Sequence, residues 1–278
     1  MTELEKNKLK QLQIDMLKEF IRICENENLQ WFVVGGTALG TVRHKGFIPW
    51  DDDIDVAMPR EDYDKFMAVA QSYLPNHLFL QNINTDKEYI MNFAKIRDSR
   101  TTFVESSIAS LKINHGVYID VFCLDGFPNS KFSQKTFLFK DYILKLRIGN
   151  LFRKNLKVNR SFPKKIVDFI LSIFYPDYKK TSYIREKLLK KYSYKEYDFI
   201  ANYCGAWGKK EIMPKSIFGE GVKGTFEGLD VVLPEKTDEY LTHVYGNYME
   251  LPPIEKRVAH HYCDIVDLEK SYLEYMRK

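Results

Sequence analysis

Hydrophobic positions near the start of the chain follow a helical period. Leu9, Leu12, Met16, Phe20 and Ile23 recur every three to four residues and predict an amphipathic helix over 2–27, packed against a core. The polar stretch 26–28 ends it. Residues 31–34, Trp-Phe-Val-Val, read as a short buried strand. Gly35, Gly36 and Thr37 open a short helical piece that runs to His44, and a loop over 45–50 follows. Over 53–58 the period becomes two: Ile54, Val56 and Met58 alternate with polar or small residues, which predicts a second strand. On a strand, side chains two apart point the same way, so Asp53 and Asp55 share one face and Ile54 and Val56 take the core side. Pro59 suits the first turn of a helix whose apolar face is Tyr63, Phe66, Met67 and Ala70, stopped at Pro75. Short strands are expected at 78–81 and 90–96. Val117, Ile119, Val121 and Cys123 alternate with Tyr118, Asp120 and Phe122 in a further strand within 116–128.

The second half reads differently. Phe137, Leu138, Tyr142, Ile143, Leu146 and Ile148 suggest a basic amphipathic helix, and 166–175 is a second apolar run bracketed by Lys164, Lys165, Lys179 and Lys180. That run is too short to span a bilayer. A buried core helix is the default reading; an interfacial helix with its basic flanks on lipid headgroups is the other. Residues 226–234 form a hairpin-like piece, 237–245 a helix, and 245–253 a turn-rich closing segment explained by folding alone.

Charge sharpens this division. The net charge is only +4, but 131–195 holds 18 Lys and Arg against 4 Asp and Glu, leaving the remainder strongly acidic. Such asymmetry suggests a surface that meets an anionic partner. Nucleic acid is not expected, because no RNA- or DNA-binding motif accompanies the basic segment. Four widely spaced cysteines without a Cys-x-x-Cys pair argue for a reducing compartment and against a disulfide framework. The charged N-terminal stretch has no apolar signal region and no run of 18 apolar residues occurs, so the expected location is the cytoplasm, against the inner face of the membrane if the basic segment touches lipid. The organisation read from these shifts is a core over 1–130, a basic helical insertion over 131–197, and a part over 198–278 that closes the same domain.

The candidate chemistry lies at 31–58, WFVVGGTALGTVRHKGFIPWDDDIDVAM. Acidic runs are usually solvated loops. Here the acids enter an apolar alternation and follow a double glycine. Adjacent carboxylates raise each other's pKa unless a cation lies between them, and carboxylates with phosphate oxygens are natural ligands of Mg²⁺. Gly35 and Gly36 let the backbone approach a phosphate at a helix start. Asp120, an acid inside an apolar strand, is costly to bury without a cation and is the third candidate carboxylate. Lys95 and Arg97, two apart, would share a strand face and could balance a diphosphate. Asp125 lies in a turn-prone Asp-Gly pair and is read as structural. Trp50 is read as packing beneath its loop. In 257–264, His260 with Cys263 could be half of a zinc site, but no second pair stands at ligand spacing; Arg257 or His260 on a phosphate is the alternative to ordinary polar surface.

The stretch GGTALGTVRHKGFIPWDDDIDVAMPREDYDKF resembles the signature of the LicD family of phosphocholine transferases, fukutin-related, within the DNA polymerase β-like nucleotidyltransferase superfamily. The similarity resumes after Asp198 and leaves 131–195 loosely constrained. It implies an α/β nucleotidyltransferase-like fold: a mixed sheet carrying the acids, flanked by helices, with the basic helical insertion. It implies Asp53, Asp55 and Asp120 as the catalytic and metal-binding acids, holding Mg²⁺ or Mn²⁺. It adds Thr37, Arg43, Lys45 and Lys95 to Gly35, Gly36 and Arg97 as nucleotide or phosphate contacts. The implied reaction moves phosphocholine from CDP-choline to a sugar hydroxyl of a lipid-linked cell-surface glycan precursor (teichoic acid, lipopolysaccharide or capsule), releasing CMP. CDP-ribitol, CDP-glycerol or CDP-ethanolamine as donor would preserve the chemistry. An Asp-x-Asp sugar-nucleotide glycosyltransferase is a different class, disfavoured by the upstream glycine turn and the later strand acid. A glycan- or membrane-binding module with a degenerate site is disfavoured because all three acids and both glycines are present.

Overall fold

The computed structural model describes residues 1–258 and 262–276. The chain opens with α1 (Glu3–Glu27), started by a capping box between Thr2 and Glu5 and ended by Asn28 in the left-handed region. Leu9, Met16, Leu17, Phe20 and Ile23 are buried, as the helical spacing predicts. Phe20 meets Trp31 edge-on at 5.3 Å and Phe66 at 5.1 Å. There follow β1 (Phe32–Val33), α2 (Gly35–Arg43), β2 (Asp55–Pro59), α3 (Arg60–Tyr73), β3 (Leu78–Gln81), β4 (Ala94–Asp98), β5 (Thr102–Glu105) and the long β6 (Val117–Phe127).

A mixed sheet organises these elements, in the order β1-β2-β6-β4-β3. β2 and β6 run parallel, with α3, β3, β4 and β5 between them in the chain, and Asp55 lies beside Asp120. β4 lies antiparallel on the other side of β6 and sets Lys95 beside Asp120. All eleven residues of β6 are buried. The far end of β6 pairs with β7 (Phe199–Ala201), which in turn pairs with β8 (Ile212–Pro214). The chain after the basic segment therefore rejoins the central sheet. The hairpin of β9 (Val222–Phe226) and β10 (Leu229–Leu233), then α7 (Thr237–Tyr245), follow close to their expected places. β11 (Cys263–Asp267) pairs antiparallel with β5.

Three expectations about elements are corrected. The strand expected at 90–96 begins at Ala94, because Tyr89 and Ile90 pack into a separate cluster with Ile108, Leu111, Ile113 and Ile148. The strand expected from residue 53 begins at Asp55. Residues 51–54 are an irregular approach whose Asp52 carbonyl accepts from Gln13 of α1 at 2.8 Å. The basic segment holds α4 (Lys131–Asn155), α5 (Phe162–Phe174) and α6 (Tyr178–Leu189). α5 is no core helix: Leu171 is its one buried residue, and its large apolar side chains are exposed.

No helix among the described residues is long and apolar enough to cross a membrane.

Candidate active site

Asp55 starts β2 beside the start of α2, and its backbone is clamped there. Its N–H donates to Thr37 Oγ1 at 2.8 Å, and its carbonyl accepts from Val34 N–H at 3.1 Å. The first hydrogen bond of α2 runs from Ala38 N–H to Val34 O, so the amides of Gly35, Gly36 and Thr37 lie outside the helix's own ladder. Gly35 N–H donates to Tyr240 Oη of α7 at 2.9 Å. Both glycines are needed for clearance. A Cβ on Gly35 would sit 2.8 Å from Asp55 Oδ2, at a φ of +55°, and a Cβ on Gly36 would collide with Asp51 Oδ2. The double glycine thus lets two carboxylates lie against the helix start.

The acids converge from three places. Asp51, Asp52 and Asp53 each offer an oxygen within 4.8 Å of the others. Asp55 and Asp120 are neighbours on adjacent strands, and Asp120 N–H donates to Ile54 O at 2.9 Å. Asp55 is part-buried as a residue, yet its carboxyl lies deep enough for desolvation to dominate. Burial, then the charges of Asp53, Asp120 and Asp51, push its pKa well above the carboxylate range, and Lys95 opposes them. A set of carboxylate oxygens under this mutual repulsion fits a hard divalent cation such as Mg²⁺. Asp53 lies off the strand, so the loop rather than strand alternation brings it to Asp55. Asp51 belongs to the cluster although spacing from Asp55 did not select it; the unbroken Asp51-Asp52-Asp53 run was the available signal.

Lys95 is almost fully buried. Its Nζ donates to Asp120 Oδ1 at 2.7 Å, lies 3.9 Å from Glu105 Oε2, and stands 3.2 Å from the centroid of the Tyr118 ring. Arg97 shares the strand face but is wholly enclosed. It donates to Gln81 Oε1 at 2.5 Å and Gly116 O at 2.6 Å, and reaches Glu105 at 3.5 Å. Its guanidinium ties β4 to β3 and to the start of β6, whereas Lys95 stands on the acid cluster. Arg43 donates to the carbonyls of Tyr248 and Glu250 at 2.7 and 3.2 Å, fastening α2 to the closing segment. Lys45 is exposed, and its carbonyl accepts from Glu227 N–H in the turn between β9 and β10. Trp50 packs against the core, with Arg257 5.5 Å from its ring centre. His260 and His261 lie outside the described residues, so the His260–Cys263 pair is not described; Cys263 itself starts β11.

Sequence reasoning missed two supports. Gln13 donates to both Asp52 O and Tyr118 O, at 2.8 and 3.3 Å, and so holds the acidic loop onto β6. Glu105 sits between Lys95 and Arg97. A glutamine on the buried face of α1 was a legible anomaly; Glu105 gave none, because its strand was not expected. Asp125 has the structural role expected of it, but it lies within β6, paired with Ala201, and not in a turn. It accepts two hydrogen bonds from Arg60, at 2.6 and 2.7 Å, and Arg60 also reaches Glu186 of α6 at 3.0 Å.

Residues 28–146, which carry the acids and glycines, match the family described as "LicD/FKTN/FKRP, nucleotidyltransferase domain". The chain is 31% identical over 251 residues to the "Lipopolysaccharide cholinephosphotransferase LicD" of Haemophilus influenzae, covering 89% of this chain and 92% of that protein. An uncharacterized protein of Rickettsia typhi is 33% identical over 58 residues, covering 21% of this chain and 19% of its own, and one of Rickettsia prowazekii is 38% identical over 47 residues, 17% and 18% of the two chains. Similarity to the Haemophilus protein along nearly the whole of both chains, together with the matched domain that holds the acid cluster, places this chain in the LicD family.

Proposed function

We propose that this protein is a cholinephosphotransferase. It transfers phosphocholine from CDP-choline to a sugar hydroxyl of a cell-surface glycan precursor and releases CMP. The observation that carries the reading is the desolvated Asp55, flanked by Asp53, Asp120 and Asp51 at a helix start cleared by Gly35 and Gly36. The lipopolysaccharide cholinephosphotransferase similarity supports phosphocholine and a glycan as the two substrates. A nucleotidyltransferase-like core is the fold this reading assigns to the mixed sheet, supported by the matched domain description.

The attacking atom is the acceptor hydroxyl oxygen. It forms a bond to the phosphorus that bears choline, while the bond from that phosphorus to the bridging oxygen breaks. CMP leaves with the bridging oxygen, and the hydroxyl proton passes to a base. Asp53, Asp55 and Asp120 would hold Mg²⁺ or Mn²⁺, with Asp51 as the next carboxylate. When bound, such a cation would supply charge neutralisation for the transferred phosphate. Thr37 and Val34 hold the Asp55 backbone at the start of α2, beside Gly35 and Gly36. Lys95 donates to Asp120 and offsets the negative charge around Asp55. The amides of Gly36 and Thr37, at the positive end of α2, suit the leaving CMP phosphate.

The test is CMP release by the purified protein with Mg²⁺ or Mn²⁺, across CDP-choline, CDP-ethanolamine, CDP-glycerol and CDP-ribitol, with a lipid-linked glycan extract as acceptor. CMP from CDP-choline, lost on chelation and in Asp55→Asn by about 100-fold or more, is the expected result. Release from another CDP-alcohol alone would keep the mechanism and change the donor. Release of a nucleoside diphosphate from a sugar nucleotide would overturn the reading in favour of a glycosyltransferase.

A further inference from the structure

Along α5, Phe162, Ile166, Phe169, Ile170 and Ile173 fall at i, i+4, i+7, i+8 and i+11. That spacing draws one apolar stripe down the helix, which a soluble domain ordinarily turns to its core. Here the stripe is turned out. Phe162 is 76% exposed, Phe169 66%, Ile173 61% and the neighbouring Phe174 73%. On the other side Asp168 and Ser172 are part-buried, and Asp168 is fastened. Asp168 pairs with Arg160 and with Arg153 at 3.5 Å. Arg147 of α4 donates to the carbonyls of Tyr175 and Pro176 just past the helix end, at 2.6 and 2.9 Å. Leu171 is buried on the same inner side. The orientation of the helix is therefore set by ion pairs and hydrogen bonds, against the preference of its own apolar stripe.

The surroundings indicate what the stripe meets. Residues 154–165 contain Lys154, Lys157, Arg160, Lys164 and Lys165 and no acid. All but Arg160 are exposed, and so are Leu156 and Val158 between them. A second copy docked by the same face would bring two such cationic rims together without a counter-charge. An anionic bilayer satisfies both features: the stripe enters the boundary between headgroups and acyl chains, and the lysines rest on lipid phosphates. The helix has 13 residues, a length of about 20 Å, which suits lying in that plane and not crossing it.

We infer that α5 is an interfacial membrane helix, docking the protein on anionic lipid with Phe162, Phe169 and Ile173 inserted and the 154–165 cations on the headgroups. The inference rests on α5 and its rim and does not depend on the donor or acceptor proposed above.

The test is co-sedimentation of the full chain with phosphatidylcholine vesicles, plain or carrying roughly one third phosphatidylglycerol. Binding is expected to the anionic vesicles and to weaken with salt. The combined variant Phe162→Ser, Phe169→Ser and Ile173→Ser should bind about ten-fold or more weakly, with an unchanged melting temperature because these side chains are exposed in the native chain. In a separate Phe169→Trp variant, emission from the new indole should shift to the blue on adding anionic vesicles, above the change seen in the parent chain. Undiminished binding by the triple serine variant would overturn the insertion of α5. So would absence of vesicle binding together with a dimer that the same variant dissociates, which would assign the face to a second copy. Both readings come from binding, so a chain inactive on CDP-choline would leave them intact.

Discussion

The Asp55 carboxyl is desolvated and faces Asp53, Asp120 and Asp51, with Lys95 opposing them. Its proton is therefore held more tightly in the folded chain than in the unfolded one. The stabilising contribution of the protonated form is complete below the unfolded carboxylate value and is lost as pH rises toward the raised folded value. In metal-free protein, Asp55→Asn removes that loss, so it should melt at a higher temperature than the parent at neutral pH while losing turnover. Calorimetry in chelator beside the CMP assay checks both halves. Gly36→Ala acts by contact: its Cβ would displace the Asp51 carboxylate, and turnover should fall with the fold retained in far-ultraviolet dichroism. Glu211 offers a pH test away from the acids. Burial pushes its pKa up to about 7, against the hydrogen bond from Trp207 N–H and the charge of Lys145. Its contribution is whole below the usual carboxylate range and is lost as pH rises through about 7. Glu211→Gln should remove that loss, worth about 3 kcal/mol above the folded value, read as the difference between urea midpoints measured at acidic and alkaline pH.

Elements are joined here by charges at their ends. Arg60 opens α3, grips Asp125 on β6 with two hydrogen bonds and reaches Glu186 on α6. One guanidinium thus links the core sheet to the basic helices. Burial raises the Asp125 pKa and Arg60 opposes the rise, so removing the cation leaves a buried acid without its main counter-charge. Arg60→Ala should cost about 3–5 kcal/mol, seen as a lower urea midpoint. Replacing Arg60 and Asp125 together by Met and Leu should recover much of this, because neither charge is then stranded. In the same way, Gln13 joins α1 to the acidic loop and to β6. Gln13→Ala frees that loop and should weaken divalent-cation binding, measured by calorimetric titration, more than it lowers stability.

At the scale of the molecule, acid and base are segregated. The site acids gather in the loop before β2, at its start and within β6, and the cations gather over 131–195 on and between α4 to α6. The first arrangement suits the proposed cation, the second the proposed anionic surface, and Arg60 links the core sheet to the basic helices. A divalent cation that binds only the folded chain stabilises it by mass action. Adding Mg²⁺ or Mn²⁺ should therefore raise the melting temperature in a concentration-dependent way, and Asp53→Asn or Asp120→Asn should blunt the rise. A melting temperature indifferent to either ion would contradict the proposed role of the acids.

Local pattern determined much of this by itself. The helical stripe of α1, the apolar alternation around Asp120, the double glycine and the acid run are all properties of neighbouring residues, and each reached the structure near its expected place. The proximity of Asp55, Asp120 and Lys95 was expected only in outline. Their register across β2, β6 and β4 is a relation between strands far apart in sequence, and backbone hydrogen bonds set it. Spacing alone placed Asp53 on a strand and paired Lys95 with Arg97. The tertiary structure put Asp53 in a loop held by Gln13, and turned Arg97 to Gln81, Gly116 and Glu105 while Lys95 kept Asp120. The apolar run of α5 is the clearest division. Its sequence specifies an amphipathic helix equally well for a core or for a lipid surface, and the tertiary ion pairs of Asp168, the hydrogen bonds of Arg147 and the burial of Leu171 decided which side faces out.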